Sequence, residues 1–330
     1  MLWEDGHQLA AKILQQDGIG VGVLAVVAEL HALPGHINMT VQGLVQVLAS
    51  GLLMGLIYAL IAAGLSLIFG LMDVVNFAHG EFLMTAMYAM LGLILLTHID
   101  PTLLLPAVAA VMFIAGATVY SGVVRHAMRS GANSGMVQVF ATFGLAITIR
   151  GLTQFFFTAD YRSIPSSWLA GKTISFGDVF LPVPQLYGAA ISLLTFLALY
   201  LLISRTDFGK ALEATREDAG AVALVGIDKN RVFALGWGLG AALVGLAGAI
   251  LSIFYYIHPD VGGPFALIAY VVVALGGFGS IYGALVAGVI VGLVEAITAT
   301  LLPPSLKSVG IYAVYLAVVF VRPRGLFGKI

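Results

Sequence analysis

The sequence predicts an all-α fold, a polytopic membrane helix bundle of about nine membrane segments. Of the 330 residues, 60% are hydrophobic and only 9% are charged, whereas a soluble domain has about 25% charged and about 45–50% apolar residues. Uncharged runs long enough for a membrane helix, which needs about 20 apolar residues, recur along the chain. Lysine and arginine concentrate in alternate loops, which is typical of a multi-pass protein with a fixed orientation.

Composition also excludes several other classes of protein. The absence of cysteine excludes a disulfide scaffold, thiolate metal sites and cysteine nucleophiles. The high hydrophobicity excludes intrinsic disorder. A net charge of −1 gives no electrostatic reason to expect nucleic acid as a partner.

The uncharged runs place the nine segments in order. They lie near 43–70, 78–97, 103–121, 138–157, 185–204, 231–252, 264–276, 281–300 and 307–321. The seventh and ninth segments are short. The seventh ends at Gly276, Gly277, Phe278, Gly279 and Ser280, which indicates either a break inside the membrane or a tight turn between tilted helices.

Basic residues give the orientation. Loops 122–137 and 205–231 and the C-terminal tail together hold ten lysines and arginines, against four on the opposite side. Because positive charge marks the cytoplasmic side, the N-terminus is expected outside and the C-terminus in the cytoplasm.

The chain divides into a short N-terminal extension and one long membrane domain. Residues 41–330 form one membrane domain, whereas 1–40 are an N-terminal extension. Residues 18–33 are apolar but short, and the start of the chain lacks the basic region and cleavage site of a signal peptide. We interpret them as an interfacial helix; the alternative is that Met39 is the true initiator.

Glycines four residues apart occur within several apolar segments. This spacing lets helix backbones approach closely in lipid, either around a path through the bundle or as ordinary membrane packing. The pairs are Gly51 and Gly55, Gly236 and Gly240, Gly279 and Gly283, and Gly288 and Gly292.

A polar island at 70–81 separates the first two segments. Asn76 is a plausible N-cap for a helix that starts at Phe77, with His79 and Glu81 in its first turns. The island either caps a helix at the cytoplasmic interface or forms a broken helix facing a translocation path. Two neighbouring ligands are weak evidence for a metal. The candidate path residues are Asn76, His79, Glu81, Gly276, Gly277 and Gly279.

Arg150 and Glu295 are the charges deepest inside predicted segments. Intramembrane charges usually face the bundle interior and pair with each other. We therefore expect these two side chains to form an ion pair, unless Arg150 extends outward to the interface.

The inner loop 205–231 predicts a short helix, a turn and a second short helix. Its small residues leave room for the groove of a partner protein to close on it; the alternative is a loop packed against the bilayer face.

Four blocks of sequence carry a resemblance to a known family: Asn76–Glu81, Ala211–Asp228, Leu275–Ala284 and Arg322–Gly328. In their order and spacing they resemble the permeases of branched-chain amino acid ABC importers, in the LivH-like branch. The resemblance implies a multi-pass subunit of the bacterial inner membrane, paired with a second, LivM-like permease. Two cytoplasmic ATPases and a periplasmic binding protein complete such an importer.

The resemblance also implies roles for residues. The inner loop is similar to the coupling loop that docks into an ATPase, and the residues concerned are Glu213, Ala214, Arg216, Asp218, Ala219, Ala223 and Gly226. The chain contains no GxxxxGK[ST] nucleotide loop. No cofactor is therefore expected on this chain, and ATP and magnesium would bind the partner ATPases.

The expected activity is transport by alternating access, with branched-chain amino acids as the first expected solute and amides, urea or aromatic carboxylates as others. An ion-coupled secondary transporter is the alternative, but it requires acidic groups paired at mid-membrane. A membrane enzyme would need His, Asp or Glu converging at one depth, which the scattered histidines do not provide.

Overall fold

The computed structural model describes residues 41–129, 134–164 and 167–328. The predictions for residues 1–40 lie outside them. The described chain is a helical bundle with one small antiparallel hairpin. In chain order its elements are α1 (Val41–Met72), α2 (His79–Thr97), α3 (Pro101–Val119), a π turn (Tyr120–Val124), α4 (Arg125–Met128), α5 (Ser134–Phe157), β1 (Thr173–Phe176), β2 (Val179–Pro182), α6 (Val183–Arg205), α7 (Asp207–Glu217), a 3₁₀ turn (Ala221–Val225), α8 (Lys229–Leu251), α9 (Gly262–Gly276), α10 (Ile281–Leu301), a 3₁₀ turn (Pro304–Leu306) and α11 (Val309–Val321).

Seven helices in the described part are long and apolar enough to cross a membrane, counting α3 to α4 as one. The apolar helices α9 and α11 are shorter. Each predicted segment coincides with one of these nine helices. The ends differ by at most four residues, except that the third helix continues through the π turn to Met128, seven residues beyond the predicted end. The prediction of an all-α polytopic bundle is therefore confirmed. Length and composition alone assign a membrane crossing to seven of the nine.

Polar side chains fix several helix starts. Asp100 precedes Pro101 and accepts a hydrogen bond from the backbone nitrogen of Thr102 at 2.9 Å, which is the expected N-cap arrangement. Thr206, Asp228 and Ser280 cap α7, α8 and α10 in the same way. These caps explain why a helix begins immediately after each of these polar loops.

Helix α1 lies at the centre and packs closely on α10. A Cβ atom on Gly292 would overlap the backbone of Gly51 and Gly55, and one on Gly288 would overlap Ala59. The predicted close packing of these glycine pairs is confirmed. The two helices are in backbone contact, which only glycine and other small residues permit.

This contact predicts a large packing penalty for a side chain at the interface. Gly292→Leu should destabilise the permease by about 1–3 kcal/mol or more, because overpacking forces backbones apart. Gly144→Leu on α5 is the matched control, since in the described part of the chain no atom outside its chain neighbours and its own helix backbone lies within 4 Å of its Cβ position. It should change stability by about 0.5 kcal/mol or less. Thermal unfolding in detergent measures both, and equal losses would contradict the packing argument.

Candidate functional site

Helix α2 begins inside the bundle and not at its end. The ring Nε2 of His79, its first residue, lies 2.8 Å from the carbonyl oxygen of Ile61, and Ile61 precedes the end of α1 by eleven residues. At 1.5 Å per residue, the non-helical segment 73–78 runs back by about 16 Å along α1. This geometry favours the broken-helix interpretation of the polar island.

The starts of α2 and α9 meet at this point. Gly80 lies against the backbone carbonyl of Gly262, so closely that a Cβ on either glycine would overlap the other. The two helix N-termini therefore meet within the bundle, where the positive ends of both helix dipoles are concentrated.

The capping bond predicted for Asn76 is present, but α2 begins later than predicted. Oδ1 of Asn76 accepts from the backbone nitrogen of Ala78 at 3.0 Å, the same bond that Asp100 makes with Thr102. The prediction of a helix from Phe77 was wrong by two residues, because Phe77 and Ala78 form a single turn, closed by a bond from the His79 nitrogen to the Asn76 carbonyl at 3.2 Å, and α2 begins at His79. The hydroxyl of Tyr270 donates to the Asn76 carbonyl at 3.2 Å and ties this turn to α9.

A charged cluster lies beside the two helix starts. Nη2 of Arg150 donates to Oε1 of Glu81 at 2.6 Å, and Nη1 lies 3.7 Å from Oδ1 of Asp260. Glu81 is 4% exposed, whereas the Arg150 side chain is 40% exposed. Helices α2 and α5 and the loop before α9 thus contribute one charge each.

The predicted pairing of Arg150 with Glu295 is wrong. Glu295 instead accepts from the hydroxyl of Tyr58 at 2.6 Å and from Nζ of Lys307 at 2.9 Å. Arg150 pairs with Glu81 and Glu295 pairs with Lys307. The position of a charge within its predicted segment did not reveal these partners. Burial alone would lower the pKa of Lys307, but its hydrogen bond and its charge attraction to Glu295 together outweigh burial and raise the pKa above the usual lysine value.

A cavity of about 780 Å³ separates α5 from α2 and α9. Its polar lining consists of Glu81, Arg150 and Gln154, and the rest is apolar, aromatic or glycine. The other residues are Phe77, Gly80, Phe143, Ala146, Ile147, Gly151, Gly263, Pro264, Ala266, Leu267 and Tyr270.

The remaining candidate path residues lie elsewhere. Asn76 and His79 are buried in the bundle. Gly276 ends α9, and Gly277 and Gly279 have φ angles of 100° and 75°, in the region that favours glycine. The break between α9 and α10 is thus where the sequence placed it, and the membership of these residues in a path stays a prediction.

The C-terminal tail closes this break. The backbone nitrogens of Leu326 and Phe327 donate to the carbonyls of Leu275 and Gly276 at 2.8 and 3.0 Å. The tail thereby satisfies carbonyls at the end of α9 that have no partner within their own helix.

The lever segment, Asp207–Val225, connects α6 to α8. Its first part is α7, which buries Leu212 and Thr215 and exposes Glu213, Ala214 and Arg216. The predicted second helix is only a 3₁₀ turn, which ends at Gly226 with a φ of 82°. Five residues followed by a left-handed glycine are too few for a stable α-helix.

Two side chains stabilise the lever segment and connect it to the bundle. Oδ1 of Asp218 accepts from the backbone nitrogens of Ala221 and Gly220 at 2.9 and 2.8 Å, and these bonds lower the pKa of Asp218. The Arg216 guanidinium lies against Gly279 and Gly70. The lever segment therefore touches both the break and the end of α1.

Sequence reasoning missed the two most exposed apolar residues of the lever segment. Leu224 is 89% exposed and Val225 is 75% exposed. The available signal was an adjacent Leu-Val pair in a loop that is rich in polar and small residues. Asp260 and Lys307 were missed as well: Asp260 lies between two predicted segments, and Lys307 is the first residue of the ninth.

Comparison with known proteins identifies the family to which this helical bundle belongs. Residues 47–319 match the family described as branched-chain amino acid transport system, permease component. The chain belongs to this family. It is 31% identical over 294 residues to the high-affinity branched-chain amino acid transport system permease protein LivH of Salmonella typhimurium, which covers 86% of this chain and 95% of that relative. It is also 31% identical to BraD of Pseudomonas aeruginosa, with the same coverage.

A more distant relative extends the comparison. A probable branched-chain amino acid transport permease, LivH of Methanocaldococcus jannaschii, is 28% identical over 72% of this chain and 76% of its own length. No solved structure matches the chain. As a member of this family the chain is a multi-pass membrane permease component of a transport system, and not an enzyme.

Proposed function

We propose that this permease is one of two membrane subunits of an ABC importer in the bacterial inner membrane. A LivM-like permease, two cytoplasmic ATPases and a periplasmic binding protein would complete the importer. ATP and magnesium would bind the ATPases, and this chain would bind no cofactor. The observation that carries the proposal is the lever segment, a short helix and turn that exposes Leu224 and Val225 and contacts the α9–α10 break.

The proposed mechanism is alternating access driven from the lever segment. An ATPase cleft would hold the 3₁₀ turn, with Glu213, Ala214, Asp218, Ala219, Ala223 and Gly226 at or near the contact. Closure of the ATPases would push α7 against the break and the end of α1, and the helices would rock around the cavity between α2, α5 and α9.

The proposed solutes are branched-chain amino acids, since the relatives from Salmonella and Pseudomonas are named for their transport. The test is uptake of leucine into proteoliposomes that contain the complete complex. Uptake should require ATP on the ATPase side and the binding protein on the other. Uptake by this chain alone, driven by an ion gradient, would contradict the proposal.

The proposed orientation places all nine apolar helices in the membrane, with the N-terminus outside and the C-terminus in the cytoplasm. Because the chain has no cysteine, single cysteines can report it without background. Asp178→Cys, in the turn of the β1–β2 hairpin, should react with a membrane-impermeant maleimide in spheroplasts. Glu217→Cys, in the lever segment, should react only after permeabilisation. The reverse pattern would overturn the orientation.

A further inference from the structure

Glu81 and Arg150 both line the cavity, and each carries one buried polar atom without a partner among the described residues. Oε2 of Glu81 is an acceptor and Nε of Arg150 is a donor, and neither finds a hydrogen bond in the described part of the chain. Buried polar groups are nearly always satisfied. Two such atoms flanking one cavity therefore indicate a ligand that supplies both a donor and an acceptor.

The cavity is also polar at one end and apolar at the other. Phe77 faces Phe143 with ring centroids 6.4 Å apart. The Glu81–Arg150 contact lies seven residues further along α5, which corresponds to about 10 Å along that helix. On α9, Gly263 lies at the charged end, near Arg150, and Tyr270 lies at the aromatic end, 5.8 Å from Phe77.

The charges at the polar end suit a ligand with both signs. Glu81, Arg150 and Asp260 sum to −1, and the starts of α2 and α9 add partial positive charge. Arg150 makes one short contact, to Glu81, and its second, to Asp260, is 3.7 Å. A guanidinium has five donors, so most of them remain for a carboxylate.

We propose that this cavity binds an α-amino acid with an apolar side chain. The ligand's carboxylate would pair with Arg150, and its ammonium with Oε2 of Glu81. The aliphatic side chain would lie between Phe143, Leu267 and Tyr270. The proposal rests on the proposed function and adds to it a solute subsite within the permease itself.

The test is binding of radiolabelled leucine to the detergent-solubilised complex without the binding protein. Competitors are leucine, 4-methylpentanoate, which lacks the amino group, and 3-methylbutylamine, which lacks the carboxylate. In the wild type both analogues should compete at least about tenfold more weakly than leucine, since each leaves one charged group unpaired.

The variants assign each charge of the ligand to one residue. Glu81→Gln should reduce the preference for leucine over 4-methylpentanoate to about threefold or less and keep the preference over 3-methylbutylamine. Arg150→Met should do the reverse. The double variant Glu81→Gln with Arg150→Met controls for folding, because removing both charges leaves none buried alone; it should unfold near the wild-type temperature and lose the preference over both analogues.

The site would be refuted if the wild-type complex did not bind leucine. It would also be refuted if each single variant lost the same affinity for leucine and for both analogues, or if the double variant still preferred leucine over both analogues as strongly as the wild type does. ATP-driven leucine uptake with the binding protein is measured on the same wild-type preparation. Uptake with any of these results refutes the site alone, whereas absence of uptake refutes the proposed function.

Discussion

Leu224→Asp should disconnect the permease from its ATPases. Leu224 is 89% exposed in the described chain, so an aspartate there costs the isolated permease about 0.5 kcal/mol or less. A large aliphatic side chain at the centre of a docked turn is an interface anchor, and removal of an anchor typically costs about 2–4 kcal/mol. At 1.4 kcal/mol per factor of ten, binding should weaken by roughly 30- to 1,000-fold.

The measurements are co-purification of the ATPases and ATP-driven leucine uptake, and both should fall together. Ile174→Asp is the matched control: it places the same charge on an exposed apolar residue of β1, on the opposite side in the proposed orientation. It should leave the ATPases bound. Normal co-purification and uptake with Leu224→Asp would show that the lever segment is not the docking site.

The helix positions could be predicted from the sequence because lipid imposes a simple rule. Charges are costly inside a membrane segment, so the uncharged runs bound the helices. The break at Gly276–Ser280 was equally visible, since three glycines in five residues permit the positive φ angles found at Gly277 and Gly279. Local backbone chemistry and hydropathy are both properties of contiguous residues.

The side-chain partners could not be predicted in the same way. Depth along each helix suggested that Arg150 would meet Glu295, but depth does not specify which helices are neighbours. The partner of Arg150 is Glu81, because α2 starts beside the middle of α1 and so brings its first turn to the level of Arg150. That start depends on the backward course of residues 73–78, which is a tertiary feature.

The lever segment could be predicted only in part. Its location and first helix follow from charge and small-residue patterns, and they agree with α7. Exposure of Leu224 and Val225 does not follow, because an apolar pair in a loop is ordinarily expected to be buried. The contact of Arg216 with two glycines distant in sequence is visible only in the folded chain.

Arg216→Ala should separate ATP hydrolysis from transport. The guanidinium lies against Gly70 and Gly279, so it connects the lever segment to the end of α1 and to the α9–α10 break. Without it, motion of α7 would reach the bundle through fewer contacts. Coupling free energies between sites are typically about 1–3 kcal/mol, so uptake per ATP hydrolysed should fall by roughly 5- to 150-fold.

The ratio of uptake to hydrolysis distinguishes this role from a structural one, because misfolding or poor docking would lower both rates together. Lys210→Ala is the matched control on the same helix, since its side chain is 71% exposed and its amino group bonds Asp207 one turn away. It should keep the ratio. Arg216→Lys should restore it only in part, since an ammonium cannot lie flat against two backbones as a planar guanidinium does. An unchanged ratio in Arg216→Ala would mean that the lever segment transmits its motion through other contacts, of which the packing of Leu212 beside the same break would be the next to test.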